Sequence, residues 1–547
     1  MTIKYTKEQL NKFDKELLIE LFLGMQGQME ELSRQTQALN DRMQLMMEQM
    51  VLFQKNRFGR SSEKMADPEQ IRFMEADGTI VFFNEAEAVC DLDAPEPDDL
   101  ELKAPKKKKQ PGKKAADIAG LTVKRIDHYL KEEELTAEFG ENGWKQLPDA
   151  ISRCYQFIPA SVVIEEHHIG VYSSKLDEHM IKAPHPRNLL HGSLVSPSLA
   201  AAVINGKYVN AVPLYRLEKE FERYGLAITR QNMANWMIRL GEEYLGTMYD
   251  HLHKLLYDHH VIQADETHVL VNKDGRPAGS QSYMWVYRSG FMYRDRQIIL
   301  YEYQKTRNAS HPREFLRDYT GICVTDGYQV YHTLEKERED LKIAGCWVHC
   351  RRRFNDALEV IPKAHRKESI LHLIMKQIRA IYREEGKLSD FSTEDRLMQR
   401  QLVVKPLVDA FFAYLKQNEP KIPKNGKIRE AFTYALNQES YLKVFLEDGD
   451  VPIDNNASER AIRGFCIGKK NWEMIDTVNG VNSSAIIYSI AETAKANNLK
   501  PFDYFEYLLT EIPKHVDDKN TDFLAELLPW SDMLPENIRK PQKASGK

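Results

Sequence analysis

The first region of the chain repeats apolar residues at every seventh position. The repeat falls on Leu18, Met25, Leu32, Leu39, Met46 and Phe53. A second apolar series lies between them at Phe22, Met29, Met43 and Met50, with Thr36 as its polar exception. Two apolar positions per heptad, sustained over several repeats, indicate a coiled coil. We therefore predict that residues 8–58 form a helix that self-associates. A single amphipathic helix packed on its own domain is the alternative.

Farther along, short apolar runs rich in β-branched and aromatic residues predict strands. The runs are VIQAD, SYMWVYR, RQIILYEYQ, GICVTD and IAGCWVHC. Three hairpin-like strands, followed by two strands separated by a helical segment, favour a mixed α/β sheet. Asp265 lies in the first run and Asp326 ends the fourth. We expect these two residues to be neighbours in space although they are distant in sequence.

Helical spacing dominates the segments before and after this sheet. Between residues 193 and 250 two helices are predicted, separated by Gly225, with Thr229 as the N-cap of the second. This pattern fits a helix-turn-helix that presents Arg230, Gln231 and Asn232 to DNA, although ordinary helical packing would also explain it. Residues 356–451 are predicted to be a helical insertion. It either contacts DNA or is a structural bundle.

Length and charge add two constraints. A chain of 547 residues is too long for one ordinary domain, so several units are expected. The net charge of −5 means that contact with nucleic acid must come from local basic patches. Candidate patches are the run Lys106, Lys107, Lys108 and Lys109, and the run Arg351, Arg352 and Arg353. The lysine run is equally typical of a solvated linker.

The six cysteines are scattered and show no disulfide framework. The sequence also shows no signal peptide and no apolar run long enough to cross a bilayer, so a cytoplasmic protein is expected. Cys346, His349 and Cys350 are close together. A structural zinc site normally has paired ligands, and no second pair follows. A buried strand that ends in a polar histidine is the preferred interpretation.

Three acidic residues carry the candidate chemistry: Asp265, Asp326 and Glu459. Carboxylates on separate elements can hold two hard cations about 4 Å apart, which clamp the oxygens of a phosphodiester displacement. Two of the acids also have an ordinary structural explanation, and the third would be costly to bury. Asp326 before Gly327 is a strong turn signal, and Glu459 would fill a capping box if Asn456 is the N-cap. An acid in an apolar strand, such as Asp265, is costly to bury unless it is paired or bound to metal.

The third acid lies in a basic segment. Its cations, which are candidates for contact with phosphates near the reacting bond, are Arg460, Arg463, Lys469 and Lys470. Arg463 is one helical turn from Glu459 and should share its face. Asp454, at the start of the same segment, is the reserve candidate for the third acid.

Several of these segments together resemble transposases of the insertion-sequence 66 family. The resemblance rests on ADETHVLV, DGYQVYHTL, AGCWVHCRRRF, DNNASERAIRGFCIGKKNW and AIIYSIAETAKANNLKPFDYFEYLL, in that order. It extends from the N-terminal helix through residue 513. The DNN block is long and highly specific, and the order and spacing of the other blocks reinforce it.

The resemblance implies an RNase H-like core, here residues 255–355 and 452–500, with an Asp-Asp-Glu triad. By motif position the triad is Asp265, Asp326 and Glu459. It further implies a bacterial, nucleoid-associated DNA transposase that uses Mg²⁺ or Mn²⁺. Such an enzyme cleaves the ends of its element and joins them to target DNA, with accessory proteins as further partners. A structure-specific nuclease and an inactive DNA-binding derivative are the alternatives.

Many members of the family that the chain resembles carry a small zinc module built on two CxxC pairs. The corresponding residues 118–192 lack both pairs, because Cys154 is the only cysteine between Cys90 and Cys323. We therefore expect a degenerate module and no bound zinc. The remaining predicted segments are an acidic and basic linker over residues 59–117 and a helical C-terminal tail over residues 501–547.

Overall fold

The structure, a computed structural model, describes residues 73–74, 80–81, 130–140, 160–173, 180–184 and 187–541, apart from positions 278, 291 and 519. The predicted coiled coil over 8–58 and the run Lys106–Lys109 lie outside these residues. The chain divides into two units, one containing Gly241–Asn497 and the other Ala86–Leu240 with Asn498–Lys547. None of the described helices combines the length and the apolar composition needed to cross a membrane. Strands β1 (Phe73–Met74) and β2 (Ile80–Val81) pair antiparallel.

The unit that contains Ala86–Leu240 is mainly helical where it is described. Helix α1 (Glu132–Phe139) precedes an antiparallel pair, β3 (Val171–Ser173) with β4 (Met180–Lys182). Residues 160–170 form no strand, and Ile164 is 94% exposed there.

Three helices follow in this unit: α2 (Pro197–Ile204), α3 (Leu214–Arg223) and α4 (Arg230–Leu240). Gly225, with φ +82°, makes the turn between α3 and α4. The Thr229 hydroxyl accepts a bond from the Asn232 N–H at 3.2 Å, which confirms the predicted N-cap. Helix α2 packs against α4 and against the C-terminal helix Pro501–Glu511.

The other unit is built on a mixed sheet. Helix α5 (Gly246–Leu256) leads into β5 (Val261–Lys273), β6 (Gln281–Ser289) and β7 (Ile299–Gln304), which are antiparallel. Helix α6 (Ser310–Phe315) then precedes β8 (Gly321–Thr325), and α7 (Gln329–Glu337) precedes β9 (Leu341–Gly345). The order is β7-β6-β5-β8-β9, with β8 parallel to both β5 and β9. The predicted mixed α/β sheet is confirmed.

A helical segment packs on this sheet beyond β9. Its helices are α8 (Trp347–Val360), α9 (Ile370–Gly386), α10 (Thr393–Gln399), α11 (Lys405–Asn418), α12 (Lys427–Asn437) and α13 (Glu439–Lys443). One buried cluster joins Phe354 and Phe411 of these helices to Val261 and Val324 of the sheet. The segment is therefore anchored on the sheet by a continuous apolar core. The strand expected from IAGCWVHC ends at Gly345, because Trp347 already begins α8.

Helix α14 (Asn456–Trp472), strand β10 (Ile475–Thr477) and helix α15 (Val478–Ala496) complete the unit. Strand β10 pairs in parallel with the far end of β5. The hydroxyls of Ser489 and Thr493 on α15 accept bonds from the N–H groups of Tyr301 and Ile299, at 2.7 and 2.9 Å. The outer edge of β7 is thereby covered, which prevents it from pairing with another chain.

Candidate active site

Two acidic residues stand just beyond the pairing of the parallel strands β5 and β8. The last paired residues are Gln263 and Val324, and Asp265 and Asp326 each lie two positions further on. Side chains two positions apart along a strand share a face, so this register directs both acids to the same edge of the ladder. The Oδ1 atom of Asp326 accepts a bond from the Tyr328 N–H at 2.9 Å. Asp326 therefore serves as the turn residue as well as standing beside Asp265.

A buried asparagine sets the position of Glu459. The Asn455 side chain is fully buried, and its Nδ2 donates to the carbonyl oxygen of Ala264 at 2.7 Å. Its Oδ1 accepts from Gln263 Nε2 at 3.1 Å. Helix α14 begins at the next residue, and Glu459 follows one turn later. These bonds fix the start of α14 against β5, immediately before Asp265.

The capping-box interpretation of Glu459 is wrong. Asn455, and not Asn456, precedes the helix, which places Glu459 at the fourth helical position, and no asparagine side chain caps the helix. Asp454 takes that role, since its Oδ1 accepts from the Asn456 N–H at 3.1 Å. The sequence offers two adjacent asparagines as caps, and the burial of Asn455 against β5 selects between them. Glu459 is left available for another function.

Asp265 lies in the electrostatic field of the other two acids. Burial raises the pKa of Asp265 well above its ordinary range, and the charges of Glu266, Asp326 and Glu459 raise it further. Burial also raises the pKa of Glu459, against the opposing effect of Arg352, whose Nη2 lies 3.3 Å from Glu459 Oε2. A buried carboxylate whose proton affinity is raised by neighbouring carboxylates lies in an electrostatic environment that stabilises a cation.

A fourth acid, Glu266, was missed in the sequence. Its side chain is 2% exposed and is bonded by the guanidinium of Arg307. Arg307 lies 3.9 Å from Asp326 Oδ2 and stacks on the Tyr328 ring at 3.7 Å. Burial raises the pKa of Glu266 to about 7, with a further increase from Asp326 and opposition from Arg307. The ADET motif was the available signal, but alternation along a strand points Glu266 away from Asp265.

Helix α8 supplies the other side of the site. Cys346 caps its start, and donor atoms of Cys346, His349 and Glu459 all lie within 4.8 Å of one another. Among the described residues, the carboxylate oxygens of Asp265, Asp326 and Glu459 do not form a group within that distance. Burial lowers the pKa of His349 to about 4 against the opposing charge of Asp326, and the charges of Arg352 and Arg353 lower it further. Cys350 is buried in the apolar cluster and is not part of the group.

The predicted DNA-contacting residues have varied surroundings. Arg230, Gln231 and Asn232 are exposed at the start of α4. On α14, Arg460 and Lys470 are exposed, whereas Arg463 and Lys469 are half-buried, and Lys469 Nζ donates to the His268 carbonyl oxygen at 2.6 Å. Arg351 lies over the Tyr382 ring at 5.8 Å. Arg352 bonds Glu459, so it belongs to the acidic site itself.

Comparison with protein families assigns the chain to the transposases. Residues 192–483, more than half of the chain, match the family described as Transposase IS66 family. The chain belongs to that family. Residues 489–530 match the IS66 C-terminal element, and residues 45–126 match a region described as Transposase C of IS166 homeodomain.

Three relatives come from Sinorhizobium fredii (strain NBRC 101917 / NGR234). "Uncharacterized protein y4qI" is 28% identical over 66% of this chain and 67% of its own length. "Uncharacterized protein y4jD" is 24% identical over 76% and 82%, and "Uncharacterized protein y4hP" is 23% identical over 72% of each. The similarity therefore covers most of each chain.

Proposed function

We propose that the protein is a DNA transposase in which Asp265, Asp326 and Glu459 form an Asp-Asp-Glu catalytic triad. The observation that carries this is the meeting of three elements at one point. Asp265 and Asp326 follow the last pair of adjacent parallel strands, and Asn455 ties the start of the Glu459 helix to the same place. The charges of Asp326 and Glu459 both act on Asp265.

The sheet is, in this proposal, the RNase H-like core implied by the resemblance to this family. Three antiparallel strands are followed by two parallel ones, each reached over a helix. The first acid lies on the first strand, and the second directly follows the fourth. The helical segment between α8 and α14 separates the second acid from the third. Its apolar core rests on the sheet, so the segment can lie beside bound DNA without disturbing the triad.

The acidic residues fit a hard divalent cation such as Mg²⁺ or Mn²⁺, which takes oxygen ligands. Glu459 Oε1 is buried and has no hydrogen-bond partner, and Asp265 carries the repulsion of three neighbouring carboxylates. When bound by Asp265, Asp326 and Glu459, such cations would supply activation of the nucleophile and stabilisation of the phosphate charge. The three acids need not lie within one coordination sphere if they share two ions.

The cationic side chains around the triad have separate tasks in this proposal. Arg352 holds Glu459 through Oε2, which leaves Oε1 directed elsewhere. Arg307 is held by Glu266 and by the Tyr328 ring, so its guanidinium is kept near Asp326 and can face a phosphate. Arg460, Arg463, Lys469 and Lys470 line α14 beyond Glu459 and would hold phosphates on both sides of the reacting bond.

The reaction takes place in two displacements at phosphorus. Water attacks the phosphate at the element's end, the P–O3′ bond breaks, and the departing oxygen takes a proton to become a free 3′-hydroxyl. That hydroxyl then attacks a target phosphate, a new P–O3′ bond forms, and the target strand's own 3′-oxygen leaves with a proton. Neither displacement requires an oxidant or a covalent protein–DNA intermediate.

Recognition of the element's ends is assigned to the exposed start of α4, where Arg230, Gln231 and Asn232 can meet base edges. Residues 8–58 are proposed to join copies of the chain, or the chain and an accessory protein, through the heptad seam. The module over 118–192 lacks both cysteine pairs and, in this proposal, does not bind zinc.

The test combines strand cleavage and strand transfer on DNA carrying the element's ends, with Mg²⁺ or Mn²⁺. Asp265→Asn, Asp326→Asn and Glu459→Gln should each abolish cleavage while DNA binding persists. The matched control is Glu302→Gln, an acid on β7 of the same sheet that is outside the triad. Cleavage without joining would favour a structure-specific nuclease, and binding without cleavage would favour an inactive DNA-binding derivative. Full activity of any triad variant would overturn the assignment.

A further inference from the structure

The strongest unassigned cluster combines one sulfur, one nitrogen and one oxygen donor. Cys346 Sγ, a ring nitrogen of His349 and a carboxylate oxygen of Glu459 lie within 4.8 Å of one another. His349 Nδ1 is 3.8 Å from Glu459 Oε1. The first two residues belong to the start of α8 and the third to the first turns of α14, so two helices buried on one sheet fix all three.

Two of the three donor atoms lack partners. His349 Nδ1 and Glu459 Oε1 are both buried, and neither makes a hydrogen bond. An unsatisfied buried polar atom costs free energy, and two that face each other across the same small gap point to a missing ligand. Their separation is too long for a hydrogen bond.

The separation suits a shared tetrahedral cation. Zinc bonds of about 2.0–2.1 Å to nitrogen and oxygen place two ligand atoms roughly 3.3–3.5 Å apart. The observed 3.8 Å needs only a small inward movement of the side chains. Three protein ligands with an open fourth position are common for zinc sites that react with substrate or water.

Neighbouring groups hydrogen-bond to two of the proposed ligand residues. The Asn455 N–H donates to Cys346 Sγ at 3.2 Å, and Arg352 holds the second oxygen of Glu459 at 3.3 Å. Such bonds orient ligating atoms and tune their charge. Cys350 is one turn further along α8 but is directed into the apolar cluster, which excludes it from the donor set.

We propose that Cys346, His349 and Glu459 bind one thiophilic divalent cation such as Zn²⁺. Sulfur and imidazole donors select this class of ion over Mg²⁺. The site departs from the expectation of a zinc-free protein, because it uses one triad acid and not a pair of CxxC motifs. A second part, which rests on the proposed function, follows from the shared atom. An ion held at Glu459 Oε1 competes with a hard cation of the triad for the same donor atom, so zinc should inhibit cleavage.

The binding test uses Co²⁺ as a spectroscopic probe of the full-length, metal-free protein. Bound Co²⁺ should produce a cobalt–thiolate charge-transfer band that saturates at one ion per chain and is removed by competing Zn²⁺. Cys346→Ser should abolish the band, and His349→Gln and Glu459→Gln should each weaken binding at least tenfold. Cys350→Ser and Cys323→Ser, both at buried cysteines outside the donor set, are the matched controls and should retain it.

Absence of the band from the wild-type protein, or its persistence in Cys346→Ser, would overturn the site and leave a simple His349–Glu459 contact. Asp265→Asn should bind Co²⁺ like the wild type, which separates this site from the triad. If the protein cleaves no DNA with any cation, the proposed function fails while the cobalt titration still decides the site.

The inhibition test compares zinc titrations of Mg²⁺-supported cleavage, each normalised to its own zinc-free rate. Cleavage by the wild type and by Cys350→Ser should fall at the zinc concentrations that fill the cobalt site. Cys346→Ser should need at least tenfold more zinc for the same fall. Equal sensitivity of Cys346→Ser and wild type would overturn the shared use of Glu459.

Discussion

The side-chain amide of Asn455 donates a hydrogen bond of 2.7 Å to the main-chain oxygen of Ala264, 191 residues earlier in the chain. The contact lies where the pairing of β5 with β8 ends and one residue before Asp265. A single amide thus joins the helix of the third acid to the strand of the first. The dependence of the site on this bond can be measured.

Asn455→Ala should lower the free energy of unfolding by about 1–3 kcal/mol, because the buried oxygen of Ala264 loses its donor and Gln263 loses an acceptor. DNA cleavage should fall as well, since α14 is no longer fixed beside Asp265. Urea unfolding and a cleavage assay give the two values. The exposed Asn520→Ala is the control and should change stability by less than about 0.5 kcal/mol. Equal stability of Asn455→Ala and wild type would contradict a stabilising role for the Asn455–Ala264 hydrogen bond.

The pair of Arg307 and Glu266 should behave as a coupled unit. Arg307→Ala leaves a carboxylate that is 2% exposed without its cation, and should cost about 2 kcal/mol of stability. Adding Glu266→Gln should restore part of that loss, because a neutral amide tolerates burial better than a charge. A double-mutant cycle from denaturant unfolding measures the coupling. Additive single effects would show that the two side chains do not interact.

The hardness of the proposed cation site can be tested by changing one ligand atom. Asp265→Cys and Asp326→Cys should lose Mg²⁺-supported cleavage, because a thiolate is a poor ligand for Mg²⁺. Mn²⁺ accepts sulfur more readily and should restore at least part of the rate. Asp265→Asn and Asp326→Asn serve as controls that Mn²⁺ should not rescue. Identical Mn²⁺ responses of the Cys and Asn variants would argue against direct ligation.

The basic residues of α14 should affect DNA binding through salt. Each phosphate contact removed by Lys469→Ala with Lys470→Ala should flatten the plot of log affinity against log salt by about 1 unit. Discrimination between element ends and random DNA should change little. Arg230→Ala and Asn232→Ala should do the reverse. Lys469 also bonds the His268 carbonyl oxygen. An unchanged slope with a lowered melting temperature would therefore assign the pair to stability alone.

Glu302 on β7 predicts a pH dependence of stability. Burial raises its pKa from 4.5 to about 7, while the Gln304 amide opposes the shift. Below pH 4.5 both folded and unfolded states hold the proton. Between 4.5 and 7 the unfolded state loses it first, so stability falls by up to about 1.4 kcal/mol per pH unit, and above 7 the loss is complete.

Glu302→Gln removes this titration. Its stability advantage over the wild type should grow from pH 5 to pH 7 and then stay constant to pH 8.5, as followed by urea unfolding. The exposed Glu526→Gln is the control and should show no such growth. An advantage independent of pH would mean that Glu302 is ionised in the folded protein throughout this range.

The strands that carry the first two acids were predictable because each is a short apolar run with clear ends. The runs predict three hairpin-like strands followed by two more, and the sheet contains these five strands in the spatial order β7-β6-β5-β8-β9, which the sequence did not predict. The end of β9 was less clear, because GCWVHC remains apolar where the chain changes from strand to helix at Trp347. Periodicity over so few residues does not distinguish the two structures.

The interactions around the acids could not be predicted from local pattern. The Glu266–Arg307 bond and the Asn455–Ala264 bond depend on how distant elements pack, and residue type alone does not specify a partner. Local pattern left Asn456 open as a possible cap, whereas the helix is preceded by Asn455, which is buried against β5. Cys346, His349 and Cys350 were considered as zinc ligands and set aside, because only the fold brings Glu459 of α14 close to Cys346 and His349.

The helical segment between α8 and α14 has a consequence for synthesis on the ribosome. Asp265 and Asp326 leave the ribosome before Glu459, and roughly 130 residues separate the second of them from it. At about 5–20 residues per second, that interval lasts on the order of ten seconds. During it the growing chain has two acids and no Asn455 to complete the site. If the triad assignment holds, a nascent or prematurely terminated chain cannot cut the DNA near which it is made.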